Sequence, residues 1–519
     1  MDSGGHANAV RWSLVTSTAT VRWRRVALLA VSLVAVFNFH SAAAEADLPV
    51  RARAALERAT AYWRSIATEG GYLWRYSLDL KQRAGEVGAT ATQIWVQPPG
   101  TPSMGMAYLR AYEATKDARY LDAARGAAHA LAVGQLESGG WDYVVEFEPV
   151  KSKGWYRRAD KGKITEAEAA KRKNISTYDD DTTQSALRFL LAFVDATKGS
   201  TDPRDAEIRT ALDHGLKKLL EAQYPIGAWP QRWNGKAHDP VNFPFKQATL
   251  PKDHPREQPK TGYYAHYTFN DNSHHDLITT LLEAHQLTSR REYLEAAKRG
   301  GDFILRAQLP EPQPAWAQQY NADMEPAWAR AFEPPAVTGG ESVGAMRTLV
   351  ELYVQTGEEK FLKPIPAALA WFKRSEIAPN RWARYYELHT NKQLFGDRDG
   401  KIHYTLAEIS EERQHGYGWS GDYGLSGFIR QYERVKQDGR EKELTRRAPK
   451  APTDKAKAER AKSLAPKVAE IIAALDTQGR WVSKGDIKKR DWEFSDRVET
   501  SVFIQNVETL ANYLEAAGP

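Results

Sequence analysis

Gln135-Leu136-Glu137-Ser138-Gly139-Gly140-Trp141 closes one apolar run at helical spacing, and Gln223-Tyr224-Pro225-Ile226-Gly227-Ala228-Trp229 closes another in the same form. The ending returns in short form as Gln478-Gly479-Arg480-Trp481, and without the glutamine as Gly70-Gly71-Tyr72. A second repeat runs between helices: Thr115…Tyr120-Leu121, Thr288…Tyr293-Leu294 and Thr356…Phe361-Leu362. In each, one helix stops at a polar turn and the next begins with an aromatic–leucine pair. Leu187, Leu190, Leu191 and Val194 mark one such helix, and Leu281, Leu282 and His285 close another. No long alternating strand pattern is present. Helix hairpins recurring about every 50–70 residues predict a solenoid or a closed ring of helix pairs. A closed ring leaves a groove at one end, lined by the loops that follow the helices. The Gly–aromatic turns then lie around that groove, or the glycines merely cap helices while the tryptophans pack beneath them.

The chain has 519 residues, enough for several packed layers, with 42% apolar and 27% charged residues and a mean hydropathy of −0.59. Sixteen Trp and 23 Tyr supply flat surfaces for sugars or bases, although most such residues fill cores. The absence of Cys excludes disulfides, thiolate metal sites and cysteine nucleophiles. Arg22, Arg24 and Arg25 precede an apolar run from Val26 to Phe39, and Ala42 and Ala44 stand before Glu45. This pattern reads as a signal peptide over 1–44 and predicts a secreted or periplasmic protein. The apolar run is short for a bilayer span. Residues 1–44 carry four Arg and one Asp, so the formal charge of +6 leaves about +3 on the remainder, compatible with a polyanionic substrate.

Residues 45–435 read as a single catalytic domain. The stretch 236–266, with Pro240, Pro244, Pro251, Pro255 and Pro259, predicts a long ordered loop beside the groove. Residues 436–460, highly charged with Pro449 and Pro452, predict an exposed linker, and 461–519 predict helices that dock back to complete the ring.

Motifs for P-loop nucleotide hydrolysis, serine esterase chemistry, zinc proteolysis and EF-hands are missing. Acidic and basic clusters beside aromatics stand out instead. Tyr178-Asp179-Asp180-Asp181 opens a helix. Capping explains one such Asp, whereas three adjacent carboxylates call for a cation with oxygen ligands, such as calcium. Thr268-Phe269-Asn270-Asp271-Asn272 repeats that character at another helix start. Ala327-Trp328-Ala329-Arg330 followed by Glu333-Pro334-Pro335 presents a guanidinium on a fixed loop, or stacks it on Trp for packing. From Arg381 to Trp419 run Arg384, Arg398 and Arg413, suited to gripping planar carboxylates or to pairing with the acids nearby.

Together, these motifs resemble the pectate lyases, or pectic acid lyases, of polysaccharide lyase family 10. The resemblance rests on Ala222-Gln223-Tyr224-Pro225, Trp229-Pro230-Gln231, Thr268-Phe269-Asn270-Asp271, Trp316…Gln318-Gln319 and Ala327-Trp328-Ala329-Arg330. It continues through Gly340-Glu341-Ser342-Val343, Trp382-Ala383-Arg384-Tyr385-Tyr386-Glu387, Asp397-Arg398-Asp399-Gly400 and Leu406-Ala407-Glu408-Ile409-Ser410. It implies an all-α fold, an (α/α) toroid of repeated helix hairpins with long catalytic loops. It also implies calcium-dependent anti β-elimination on α-1,4-linked galacturonate. Under it, Asp179, Asp180 and Asp271 bind Ca2+, and Arg330 is the catalytic base. Arg398, Arg384, Arg413, Trp229 and Glu333 bind substrate. The expected partner is polygalacturonate or its oligomers. Nucleic acid is not expected, nor a membrane once the leader is removed, and the chain is expected to be a monomer. The sequence departs from the family where Asp179-Asp180-Asp181-Thr182-Thr183 replaces Asp-Asn-Gly-Ala-Thr and Gly227-Ala228-Trp229-Pro230 replaces Gly-Gly-Trp-Pro. The competing readings are a hydrolase on the same toroid, with Glu333 or one of Asp179–Asp181 as its acid and base, and a polysaccharide-binding protein without turnover.

Overall fold

The computed structural model describes residues 30–518 except Thr261, Pro449 and Arg490, and residues 30–46 by backbone alone. The signal-peptide reading rests on 1–44, of which 1–29 lie outside the described residues. Among the described residues, no helix is long and apolar enough to cross a membrane.

Twelve longer helices among the described residues alternate between an outer and an inner layer. The outer helices are α1 (Ala30–Ser65), α3 (Ala118–Gly134), α5 (Pro203–Glu221), α7 (Arg291–Ala307), α9 (Ile365–Arg374) and α11 (Asp454–Ala474). The inner helices are α2 (Thr101–Thr115), α4 (Thr182–Ala196), α6 (Ser273–Thr288), α8 (Gly339–Thr356), α10 (Leu425–Arg447) and α12 (Thr500–Ala517). Inner helices pack in the order α12, α2, α4, α6, α8, α10, so the last helix of the chain lies against the first inner one. The fold is an all-α (α/α) toroid. The segment 436–460, expected as a linker, is instead helical to Arg447, with a break at Gly439, and helical again from Asp454. Its charges sit on helix faces: Glu443, 2% exposed, takes salt bridges from Arg434, Arg446 and Arg447.

Each sequence repeat performs one local task. Thr115, Thr288 and Thr356 end inner helices; each hydroxyl donates to the carbonyl four residues back and accepts the amide two residues on. The residue between is left-handed: Lys116, Ser289 or Gly357. Tyr120 and Tyr293 then bury at the start of the returning helix, and Phe361 buries in the short 3-10 turn Glu359–Leu362 that precedes α9.

At the other end, Gln135 and Gln223 each donate Nε2 to the carbonyl of the turn glycine (Gly139, Gly227) and to a carbonyl of the next outer helix (Ala211, Ala296). Gln308 does the same with Pro314 and Pro364, a third copy without the glycine. Gly139 and Gly227 have φ of +92° and +103°, and a Cβ there would stand 2.1 Å from Lys218 Cβ and 2.2 Å from Arg299 O. Positive φ and close approach to the neighbouring outer helix therefore both require glycine. Trp141, Trp229, Trp316, Trp382 and Trp481 turn inward, and each indole N–H donates to a carbonyl near the end of the outer helix before it. Burying such a ring with its N–H satisfied costs no polar group and fills the space between the layers. The packing reading of the Gly–Trp turns holds. Trp229, expected to meet substrate, is 0% exposed and belongs to the core.

Short strands ring the mouth. Ser176–Thr177 pairs with Arg232–Trp233, Tyr267–Thr268 with Gln319–Tyr320, and Val337–Thr338 with Tyr385–Tyr386, all antiparallel. Each pair ties the entry of an inner helix to the residues just beyond a buried Trp.

Candidate active site

Two positions after four of the five turn Trp stands a polar side chain: Tyr143, Gln231, Gln318 and Arg384 follow Trp141, Trp229, Trp316 and Trp382, with Gln231 and Gln318 buried. Tyr143 hydrogen-bonds to Asp179, and Gln231 favours the charged form of the same carboxyl. Gln318 accepts from the Tyr385 hydroxyl at 2.9 Å, and Arg384 stacks 4.2 Å from the Tyr417 ring centroid. The toroid thus converts a sequence repeat into a ring of side chains around one groove.

The entries of the neighbouring inner helices α4 and α6 lie side by side at this groove. In Tyr178-Asp179-Asp180-Asp181 and Phe269-Asn270-Asp271-Asn272 the backbone turns left-handed at the last two residues, Asp180 and Asp181 (φ 50° and 56°) and Asp271 and Asn272 (φ 47° and 59°). Asp and Asn tolerate this conformation better than other non-glycine residues. By position, Asp180 is the counterpart of Asp271, and Asp179 that of Asn270. One carboxylate oxygen from each of Asp179, Asp180 and Asp271 lies within 4.8 Å of the others. Asn270 Nδ2 donates to Asp271 Oδ2 at 2.7 Å and, longer, to Asp179 Oδ1 at 3.4 Å. Burial, then the Asp271 charge, pushes Asp179 above the usual carboxylate range. Burial, with Asp179, Asp271 and Glu86, pushes Asp180 up to about 7. An all-oxygen set of crowded acids fits a hard divalent cation such as calcium. Asp181 stands apart, paired with Arg188 at 2.5 Å.

Arg330 joins the acidic entries to a basic wall. Its Nη2 lies 3.9 Å from Asp271 Oδ2 and 2.5 Å from Glu333 Oε1, and Glu333 Oε2 accepts the Arg330 backbone N–H at 3.0 Å. Burial opposes the charge on Arg330, but the Glu333 contact, helped by Tyr417 and Asp271, holds the guanidinium above its ordinary pKa. Glu333 is 2% exposed and also accepts from Tyr417 at 3.2 Å. It braces Arg330 from beneath, which corrects the expectation that it contacts substrate.

Phe332 and Tyr417 form the floor of this wall. Arg330, Arg398 and Arg413 lie over Phe332 at 5.1, 5.6 and 4.5 Å, and Arg413 lies over Tyr417 at 5.3 Å. Arg398 is exposed and grips Glu412 through Nε and Nη2 at 2.6 and 2.8 Å. Arg413 is buried and pairs with the same Glu412 at 2.5 Å. Two guanidiniums thus share one carboxylate, which leaves charge for a ligand. The loop 236–266 supports the wall from outside: Trp328 Nε1 donates to Pro255 O and Gln258 Nε2 to Ala329 O.

The sequence reading missed Tyr143, Tyr417, Glu86 and Glu341. Aligning the Trp repeats would have found Tyr143. Glu341 opens α8, and burial pushes its carboxyl up, opposed by Arg384. Glu86 is felt by Asp180 and itself feels Asp271, Arg330 and Lys489; it comes from a loop outside every motif quoted above.

A family model described as pectic acid lyase matches residues 150–381 and 374–427. A family 10 polysaccharide lyase from Cellvibrio cellulosa is 24% identical at a TM-score of 0.44, over 64% of this chain and 97% of that one. A mutant of it in complex with trigalacturonic acid gives the same identity and TM-score over 64% and 98%. Cellobiose 2-epimerase from Bacillus thermoamylovorans is 12% identical at a TM-score of 0.42, over 90% and 98%. No curated protein matches the chain significantly.

Proposed function

The chain belongs to the pectic acid lyase family, and on that premise we propose that this polysaccharide lyase cleaves α-1,4-linked polygalacturonate by calcium-assisted anti β-elimination. The products are 4,5-unsaturated oligogalacturonates. The observation that carries the reading is the placement of Arg330 3.9 Å from Asp271, where a basic wall meets a cluster of three carboxylates.

Asp179, Asp180 and Asp271 hold the cation, which when bound neutralises the uronate carboxylate and so acidifies the proton at C5. Arg398 binds a sugar carboxylate at the open edge, with Arg384 and Arg413 supporting from the buried side. Phe332 and Tyr417 keep these guanidiniums in place. Arg330 takes the C5 proton; the C5–H electron pair becomes the C4–C5 double bond, and the C4–O bond breaks with its pair leaving on the glycosidic oxygen. For this, Arg330 must give up a proton in the substrate complex. Burial favours that, and the Glu333 contact opposes it. The leader-like residues 1–44 support a reaction outside the cytoplasm.

The test is ultraviolet absorbance of polygalacturonate incubated with the purified protein, first with calcium and then with excess chelator. A calcium-dependent rise is expected. New reducing ends without absorbance, or a rise indifferent to chelator, would overturn the elimination or the cation assignment respectively.

A further inference from the structure

Tyr143 lies outside the span matched by the family model, in the turn after α3, yet it reaches the acidic cluster. Its hydroxyl is 3.2 Å from Asp179 Oδ2 and 3.4 Å from Asp180 Oδ2. A phenol has one proton to donate, so here a single O–H is shared between two carboxylates that otherwise repel. The ring cannot easily swing away. It stacks on Trp95 with centroids 6.5 Å apart and planes at 27°, and the adjoining strand Val144–Glu146 pairs with Gln93–Trp95. Trp95 is in turn held by its indole N–H, which donates to Gln97 Oε1 at 3.0 Å. One hairpin on, Gln231 occupies the same place after its Trp and also favours the charged form of Asp179. Neighbouring copies of one repeat therefore both bear on one carboxylate.

We propose that Tyr143 is a positioning residue that sets the cation affinity of the Asp179–Asp180–Asp271 cluster, an inference that rests on the calcium reading above. Groups that hydrogen-bond to metal-ligating carboxylates orient them before the ion arrives, and their loss commonly weakens binding about 10–100-fold. Tyr143 touches two of the three acids and neither Asp271 nor Arg330 in the hydrogen bonds described. Its effect thus falls on the binding of the ion rather than on proton transfer. The N-terminal hairpins, beyond the family-matched span, contribute to the site as well as to the ring.

The experiment is calorimetric titration of calcium chloride into the full chain, comparing the parent with Tyr143→Phe and Tyr143→Gln, alongside lyase rates over a calcium series. Phe keeps the ring on Trp95 and removes the hydroxyl; Gln restores a donor of the kind present at position 231. Tyr143→Phe is expected to raise the calcium Kd about tenfold and to recover the parent kcat at saturating calcium. Tyr143→Gln is expected to return most of the lost affinity. An unchanged Kd in Tyr143→Phe, an equal loss in both variants, or a fall in kcat that saturating calcium does not repair would each overturn the proposal. Melting curves in chelator separate a folding defect, and where Phe melts low the Gln arm decides. A parent chain that cleaves polygalacturonate yet takes up no calcium overturns the cation reading itself, which is a different result from a normal parent with an indifferent Tyr143→Phe.

Discussion

On the arginine wall, Glu333 and Glu412 take up guanidinium charge at 2.5 to 2.8 Å. Opposite the wall, Asp179 and Asp180 crowd Asp271, and the Tyr143 hydroxyl and the Asn270 amide donate among them. The wall is built to stay folded without a ligand, because each arginine already has a partner or a ring to lie on. The acidic side stores repulsion, visible in the raised carboxyls of Asp179 and Asp180, and an added positive charge relieves it. Arg330 touches both sides. The contrast teaches that acidic residues suited to a cation are recognised by crowding that their hydrogen bonds do not offset, and substrate-binding arginines by partners that can be exchanged.

Four measurements would break or sharpen that contrast. Replacing Arg330 by Ala removes the residue joining the two sides, and kcat on polygalacturonate should fall about a thousandfold or more while oligogalacturonate binding stays close to that of the parent. Activity above about a tenth of the parent's would strip Arg330 of its role. Asp180→Asn should raise the calcium concentration needed for half-maximal rate by about tenfold or more. A parental calcium midpoint would take Asp180 out of the cluster's function and leave the acidic side without its stated purpose.

The wall should respond differently. Arg398→Ala removes an exposed, charge-assisted grip, so KM should rise about tenfold with kcat and the calcium midpoint nearly unchanged; a shifted calcium midpoint would mean the two sides are not separable. The smallest effect concerns stability. Burial, then Asp181, pushes Asp276 up to about 7, against about 3.9 in an unfolded chain. Between those values the native state holds a proton that the unfolded state has lost, so this group's contribution falls as pH rises from about 4 to about 7. Asp276→Asn escapes that cost. Its melting temperature relative to the parent, measured in chelator, should climb by about 2 °C between pH 5.5 and pH 8. A gap that is constant with pH would show that Asp276 ionises freely.

Much of the fold was legible because its signals are local. The Thr caps, the left-handed residues after them, the glycines at positive φ and the Gln–Gly–Trp turns each act within a few residues or onto the next helix. Hence helix pairs could be read from repeats, and Asp179, Asp180, Asp271 and Arg330 from their motifs. Trp229 was misjudged because exposed and buried tryptophans look alike in a sequence; only its bond to Leu219 O and its enclosure tell them apart. Residues 436–447 looked like linker because of their charge density, yet those charges pair along one helix, Glu443 with Arg434, Arg446 and Arg447, and Arg447 also reaches Glu351 on α8.

By itself, then, the sequence determined the hairpin unit, the family and the chemical type of each side of the groove, since those depend on short-range backbone preferences and on ordered motifs. Which loops meet was decided only by tertiary structure. Tyr143 reaches Asp179 over 36 positions, Tyr417 reaches Glu333 over 84, and α12 reaches α2 from the far end of the chain. Such contacts follow from closing the ring, where the angles between successive helix pairs add up, and no local pattern of residues encodes that sum.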